Sequence, residues 1–380
     1  MYRREIDGLR ALAVLPVMLF HAGFEVFKGG YIGVDIFFVI SGYLITTLIV
    51  NDLNNNSFSI KNFYERRARR LLPALFLVIL ACIPIAWFWM LPSDLKYFGQ
   101  SLVSVSSFSS NIFFWLKTGY FDAAAELNPL LHTWSLAVEE QYYIVFPLVL
   151  ITAWKTKGSF RIILIVSLLV MSLMYANWTS GIYPNFAFYM LPTRAWELLT
   201  GALLALWLID RNKSFELKII NQSLSLLGIG LIIFSLLIFD SNTPFPSLIT
   251  LVPVIGAALV ILTATEGTIM HKLLSFKPLA GLGLISYSAY LWHQPILAFA
   301  RYRFIEDLTV LMLLLLCAMS IVIAYISWRW VETPFRNPEI ISSKLLIKLA
   351  AFFILIISSF GLYLHSTNGA LNRIPPMHLE

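Results

Sequence analysis

The chain has 380 residues, 59% apolar and 13% charged, with a mean hydropathy of +0.78 and a formal charge of +6. Soluble domains carry about a quarter charged residues, so a soluble globular protein is excluded, as are disordered, collagen-like and coiled-coil chains. The cysteines, Cys82 and Cys317, both fall inside apolar blocks, which excludes a disulfide scaffold and a cysteine metal pair.

The apolar residues come in blocks of about 20, the helix length that crosses a ~30 Å hydrocarbon core. The fold class is therefore all-α, a polytopic transmembrane helix bundle of about 11 spans. They fall near 9–28, 32–52, 71–91, 131–153, 161–177, 189–209, 219–240, 247–265, 283–300, 307–331 and 344–366. No small-residue cleavage pattern follows the first block, which reads as a retained helix. A further apolar stretch, 97–117, carries Ser101, Ser104, Ser106, Ser107, Ser109, Ser110 and Asn111 and reads as re-entrant. With it not crossing, nineteen Lys and Arg fall on the N-terminal side of the membrane and six on the other. Basic residues mark the cytoplasmic face. This puts the N-terminus in the cytoplasm and the C-terminus outside, with 118–130, including Tyr120, on the outer face. No internal repeat or inverted pair of broken helices is visible, which weakens a transporter reading.

In the first helix, Arg10 and His21 are eleven residues apart. That brings them to nearly the same face, about 16 Å apart along the axis, with His21 about midway through the bilayer. Charges at membrane depth are costly and need a reason. Arg10 reads as a snorkelling cation or a site residue, and His21 as a hydrogen-bonded core imidazole or a general base. Asp35, near the start of the second helix, either orients His21 or caps its own helix. The run Arg66-Arg67-Ala68-Arg69-Arg70 reads as a topology anchor or as a phosphate clamp, since guanidinium forks suit phosphate oxygens. His132 and Glu139, seven apart at the fourth span, share a face. Of the adjacent Glu139 and Glu140, one serves a cation or hydrogen-bond network and the other faces polar substrate. Arg194 with Glu197 reads as a pair within one helix, and Glu332 with Arg336 as a helix-end pair. His293 stays open. No metal-ligand spacing, P-loop or Gly-x-Ser-x-Gly elbow is present, so no metal is expected.

Six segments, taken together and in order, resemble the acyltransferase-3 family of membrane O-acyltransferases. They are Arg10-x10-His21; Gly33-Val34-Asp35 through Ser41-Gly42; Arg67-x-x-Arg70; His132-Thr133-Trp134-Ser135 through Glu139-Glu140-Gln141; Tyr287-Ser288-Ala289-Tyr290-Leu291-Trp292-His293; and Val331-Glu332-Thr333-Pro334. The resemblance implies an acyltransferase domain over 1–336 with a ten-helix core, one added helix over 337–366 and an extracytoplasmic stub over 367–380. It implies transfer of acetyl from cytoplasmic acetyl-CoA to hydroxyls of a bacterial surface polysaccharide, O-antigen, lipopolysaccharide or peptidoglycan, at the inner membrane. His21 is then the general base or acyl carrier, with Arg10, Asp35 and Glu139 completing the catalytic set. Arg67 and Arg70, supported by Arg66 and Arg69, hold coenzyme A, and His132, Glu140 and Tyr120 meet the acceptor. Many relatives continue into an extracytoplasmic SGNH-type domain, so such a domain or partner is expected. The competing readings are a transporter of a lipid-linked sugar or small anion, a different acyl group, and an acetyl relay to a separate enzyme.

Overall fold

The computed structural model describes residues 2–117, 126–156, 158–211, 218–304 and 308–373. The described residues are helical and contain no β-strand. Each of the eleven expected spans lies on a helix. Among the described residues, seven helices are long and apolar enough to cross a membrane. The others, α1, α9, α11 and α14 below, are either short or interrupted by polar and charged side chains. The chain divides into two compact bundles, one of Met1–Phe58 with Val138–Ser286 and one of Ser59–Ala137 with Tyr287–Glu380.

The first bundle holds α1 (Arg4–His21), α2 (Gly33–Asn54), α7 (Gly158–Ser180), α8 (Pro184–Tyr189), α9 (Leu191–Arg211), α10 (Lys218–Ile238), α11 (Leu251–Thr263), α12 (Ile269–Leu274) and α13 (Lys277–Leu284), with most of α6 (Thr133–Trp154). Lipid is as apolar as a leucine side chain, so helices in a membrane associate through close packing of small residues. The crossing of α2 and α9 shows this. A Cβ on Gly42 would run into the Leu198 carbonyl, and one on Gly201 into the Val39 carbonyl. The two backbones touch, and only glycine at both positions permits it.

The start of α1 is pinned by polar groups. Arg3 donates to Glu5 (2.6 Å), the Tyr43 hydroxyl (2.9 Å) and the Ile261 carbonyl (2.6 Å). Its end departs from the sequence expectation, because the helix stops at His21 and not near residue 28. The cause is Gly23, which adopts φ +89, a left-handed conformation that costs glycine little. Its N–H bonds the Phe20 carbonyl (2.9 Å) and the Phe24 N–H bonds the Leu19 carbonyl (3.1 Å). These are the two bonds of a Schellman cap. His21 therefore occupies the final position of α1 and not the middle of a span.

The second bundle holds α3 (Ile60–Trp89), α4 (Pro92–Ser106), α5 (Ser110–Lys117), the first residues of α6, most of α14 (Ser286–Arg303), α15 (Val310–Ser327), α16 (Thr333–Arg336) and α17 (Ser343–Ser366). Its core includes Leu75, Phe98, Leu102, Leu291, Phe299 and Leu364. The stretch expected to be re-entrant is two helices, α4 and α5, of 15 and 8 residues. They rise about 22 and 12 Å, and neither spans a bilayer alone. The break falls at Phe108, with φ +51. The serine hydroxyls are satisfied locally, Ser101 on the Phe98 carbonyl (2.7 Å) and Ser104 on the Ser101 carbonyl (2.9 Å). Between α15 and α16 the helix widens into a π turn, Trp328–Glu332, a feature frequent at functional sites.

Candidate active site

His21 is buried, with 3% of its surface exposed. Its ring lies 5.2 Å from that of Phe20, which meets Tyr31 at 5.7 Å. Tyr31 stands edge-on to Phe245 at 4.8 Å and donates its hydroxyl to the Asp240 carbonyl (3.0 Å). The imidazole thus sits at a helix end in a buried, aromatic setting. Arg10 forms an ion pair with Asp7 one turn before it (2.9 Å), and Tyr2 also donates to Asp7. The continuous helix between them keeps Arg10 about 16 Å from His21 along the axis. The two are motif partners and not a contacting pair.

Asp35 was expected to orient His21 or cap α2, and the structure gives it a different partner. The α2 N-terminus has no side-chain cap. Asp35 faces Arg194 of α9 (3.1 Å), which also meets Glu197 (3.2 Å). All three are fully buried. The guanidinium lies over the rings of Phe245 (5.0 Å), Phe38 (5.3 Å) and Phe188 (5.7 Å). Such stacking suits a desolvated arginine. One cation between two carboxylates, backed by aromatic faces, holds α2 to α9. Arg194 with Glu197 is therefore more than a pair within one helix.

Glu139 accepts a hydrogen bond from the Ser41 hydroxyl (2.7 Å), linking α6 to the motif on α2. Glu140 is half-buried at the next position. His132 lies just before the helix that carries Glu139. The His132 ring packs against those of Tyr290 (5.4 Å) and His293 (5.6 Å). The Tyr290 hydroxyl donates to the His132 carbonyl (2.9 Å) and lies 2.7 Å from Ser135 Oγ. His293 Nδ1 is engaged by the Tyr290 carbonyl (2.6 Å). Tyr120 lies outside the described residues.

The arginine run divides. Arg69 is buried, and its guanidinium is consumed by the protein. Nε and Nη2 donate to Glu65 (2.9 and 2.8 Å), and Nη1 donates to the carbonyls of Phe335 (3.1 Å) and Ile341 (2.6 Å). Nη2 also reaches Ser343 Oγ (3.3 Å). These bonds use every N–H a guanidinium owns. Arg69 therefore fastens α3 to the start of α17 and does not support coenzyme A. Arg66 is exposed, while Arg67 and Arg70 are half-buried. Arg70 lies within electrostatic reach of Glu332 and Arg336. Glu332 is fully buried, pairs with Arg336 (2.7 Å) and accepts the Ser288 hydroxyl. Two arginines beside one carboxylate leave a positive excess. The Glu332–Arg336 pair is thus the expected helix-end pair, made between an exposed arginine and a buried carboxylate that also holds Ser288 at the π turn. Among the described residues no three metal-ligating side chains converge.

Sequence reasoning paired Arg194 with Glu197 but missed Asp35, and it named Ser288 and Tyr290 within a motif without assigning them roles, because these further partners come from other helices or segments.

Comparison with known proteins adds three findings. An acyltransferase domain model matches residues 3–329. The peptidoglycan O-acetyltransferase OatA of Listeria monocytogenes is 34% identical over 350 residues, covering 88% of this chain and 56% of that protein. A Bacillus subtilis protein named "Putative peptidoglycan O-acetyltransferase YrhL" is 33% identical over 350 residues, covering 87% of this chain and 54% of its own length. The chain thus spans just over half the length of these relatives. No solved structure matches it. A domain match over most of the chain, on a scaffold of membrane-crossing helices, makes this a multi-pass membrane protein that belongs to the acyltransferase-3 family.

Proposed function

We propose that the protein transfers acetyl groups from acetyl-CoA to hydroxyls of the cell-wall glycan, with peptidoglycan as the acceptor. The observation that carries this reading is the acyltransferase match over residues 3–329, joined to relatives named for peptidoglycan O-acetylation. Those names favour peptidoglycan over the O-antigen and lipopolysaccharide acceptors also implied by the motifs. The cytoplasmic arginine turn, through Arg67 and Arg70 with Arg66 nearby, receives the coenzyme A phosphates. His132 and Glu140 serve the acceptor side, and an extracytoplasmic SGNH-type domain or partner completes delivery to the wall.

At the reacting centre, the acceptor hydroxyl oxygen attacks the thioester carbonyl as His21 takes its proton. The carbon–sulfur bond breaks, and the imidazolium returns the proton to the departing thiolate. In the covalent variant the imidazole attacks the thioester carbonyl, the carbon–sulfur bond breaks and coenzyme A leaves as the thiol with the ring proton; the acyl-imidazole then gives acetyl to the acceptor oxygen, whose proton returns to the freed imidazole. Acetyl trapped on His21 in the absence of acceptor selects the second route, and its absence selects the first.

Mass spectrometry of wall glycan from cells with and without the gene tests the function. Base-labile acetyl esters on muropeptides that vanish with the gene are expected. Unchanged esters, or esters moved to another glycan, overturn the peptidoglycan assignment.

A further inference from the structure

Hydrogen bonds within the second bundle bring the arginine turn of α3, the π turn and the start of α14 together. Arg69 Nη1 donates to the Phe335 carbonyl (3.1 Å), so Arg70 and Arg336 each follow a member of one bonded pair. The Tyr287 hydroxyl donates to the Leu71 carbonyl (2.9 Å), and the adjacent Ser288 donates to Glu332. Glu332 also accepts from Arg336 Nη2 (2.7 Å) and lies within electrostatic reach of Arg70.

These two cations are used very differently from Arg69. Arg70 is half-buried and makes no hydrogen bond or ion pair among the described residues. Arg336 is exposed and gives Glu332 only one of the five N–H groups that an arginine owns. Glu332 itself is fully buried and held by Ser288. It restrains the Arg336 side chain and leaves the remaining donors for a ligand. Arg70 and Arg336 also repel each other, being within electrostatic reach. One carboxylate cannot neutralise both, and an anion shared by the two would remove the cost. Phosphate suits that place, since its charge and several acceptor oxygens match planar guanidinium forks. A neutral ligand would relieve none of the repulsion.

We propose that Arg336 is a phosphate-binding residue, forming with Arg70 a two-guanidinium clamp for the phosphates of coenzyme A, and that Glu332 is the positioning residue that holds it. The proposal rests on the acetyl-transfer reading for the identity of the donor, but binding tests it apart from turnover. The full chain in phosphatidylcholine nanodiscs is titrated with coenzyme A and with pantetheine, which keeps the thiol arm and lacks the phosphates. Arg336→Gln is expected to weaken coenzyme A binding about ten-fold or more, the loss of charge-assisted hydrogen bonds, and to leave pantetheine binding unmoved. KM for acetyl-CoA rises in parallel while kcat stays within about two-fold, because the phosphates are held alike in ground and transition states.

Glu332→Gln keeps an acceptor for Ser288 and is also expected to weaken coenzyme A binding. In the Arg336→Gln background it adds nothing, because it acts through that arginine. Arg336→Lys retains the charge beside Glu332 but loses the fork. It is expected to bind coenzyme A several-fold more weakly, and it decides the matter if Arg336→Gln does not fold. Four results overturn the proposal: coenzyme A that fails to bind or binds the Arg336 variants undiminished, equal weakening of pantetheine, an independent effect of Glu332→Gln, or a co-purified anionic phospholipid that Arg336→Gln releases. Arg336-dependent coenzyme A binding without acetyl transfer sinks the transfer reading alone, while transfer with an unchanged KM in Arg336→Gln sinks only the clamp.

Discussion

The first bundle buries a cation between two carboxylates, and the second buries Arg69 and Glu332 together with neutral polar side chains. In the first, Arg194 stands between Asp35 and Glu197 with three aromatic rings around its guanidinium, and every member of the cluster is fully buried. Ions cannot be left unmatched at low dielectric, and the Arg194 guanidinium pairs with both carboxylates. In the second, Asn128, His132 and Gln294 keep four polar atoms without protein partners. Neutral groups can bear this, because each costs far less than a bare ion.

Removal of the cation is the largest perturbation of this contrast. Arg194→Met leaves two carboxylates buried, at a cost of about 3–5 kcal/mol, and thermal melts in detergent are expected to show loss of folded protein. Adding Asp35→Asn and Glu197→Gln is expected to restore part of it. An Arg194→Met protein as stable as the natural one would show that the cluster is not charge-matched as described.

Arg69 sharpens the comparison in the second bundle. Arg69→Ala strips charge-assisted hydrogen bonds worth about 1.5–3 kcal/mol each from Glu65 and its neighbours, so the melt falls while Arg67→Ala leaves it nearly unchanged. A stable Arg69→Ala protein with weakened acetyl-CoA binding would return Arg69 to the donor site. Overpacking the α2–α9 crossing with Gly42→Ala costs about 1–3 kcal/mol, read in the same melts. Ser41→Ala removes one hydrogen bond to Glu139, about 0.5–1.5 kcal/mol.

The smallest effect lies outside the spans, where the Thr243 hydroxyl bonds the Asp240 carboxylate (3.1 Å) and holds it below its ordinary pKa. A carboxylate depressed in the folded state adds stability above its unfolded pKa and loses it as pH falls. The advantage of the natural protein over Thr243→Val therefore narrows on acidification. A gap that stays constant with pH would show that the bond does not discriminate between the two ionisation states.

Helix existence was legible in the sequence because membrane-crossing length writes itself as apolar blocks, and every expected span is a helix. Boundaries were less so. A single left-handed glycine, Gly23, ended α1 seven residues early, and hydropathy cannot register a backbone angle. The serine-rich stretch was set apart by its hydroxyl density, a compositional signal, but its break at Phe108 was not foreseeable. Among the site residues, His21 and the arginine turn stood out by type and spacing. Asp35 was visible as an intramembrane acid, while its partner sat 159 positions away on α9. Arg69 could not be told from Arg67 or Arg70 without the carbonyls that claim it.

The central claim is that acetyl passes to the glycan through the imidazole at the end of α1. Membranes containing the full chain, given radiolabelled acetyl-CoA and peptidoglycan, test it through His21→Ala. A fall in labelled glycan of about 10²-fold or more, with an unchanged melt, is the result expected. Full acetylation by the His21→Ala protein would contradict it.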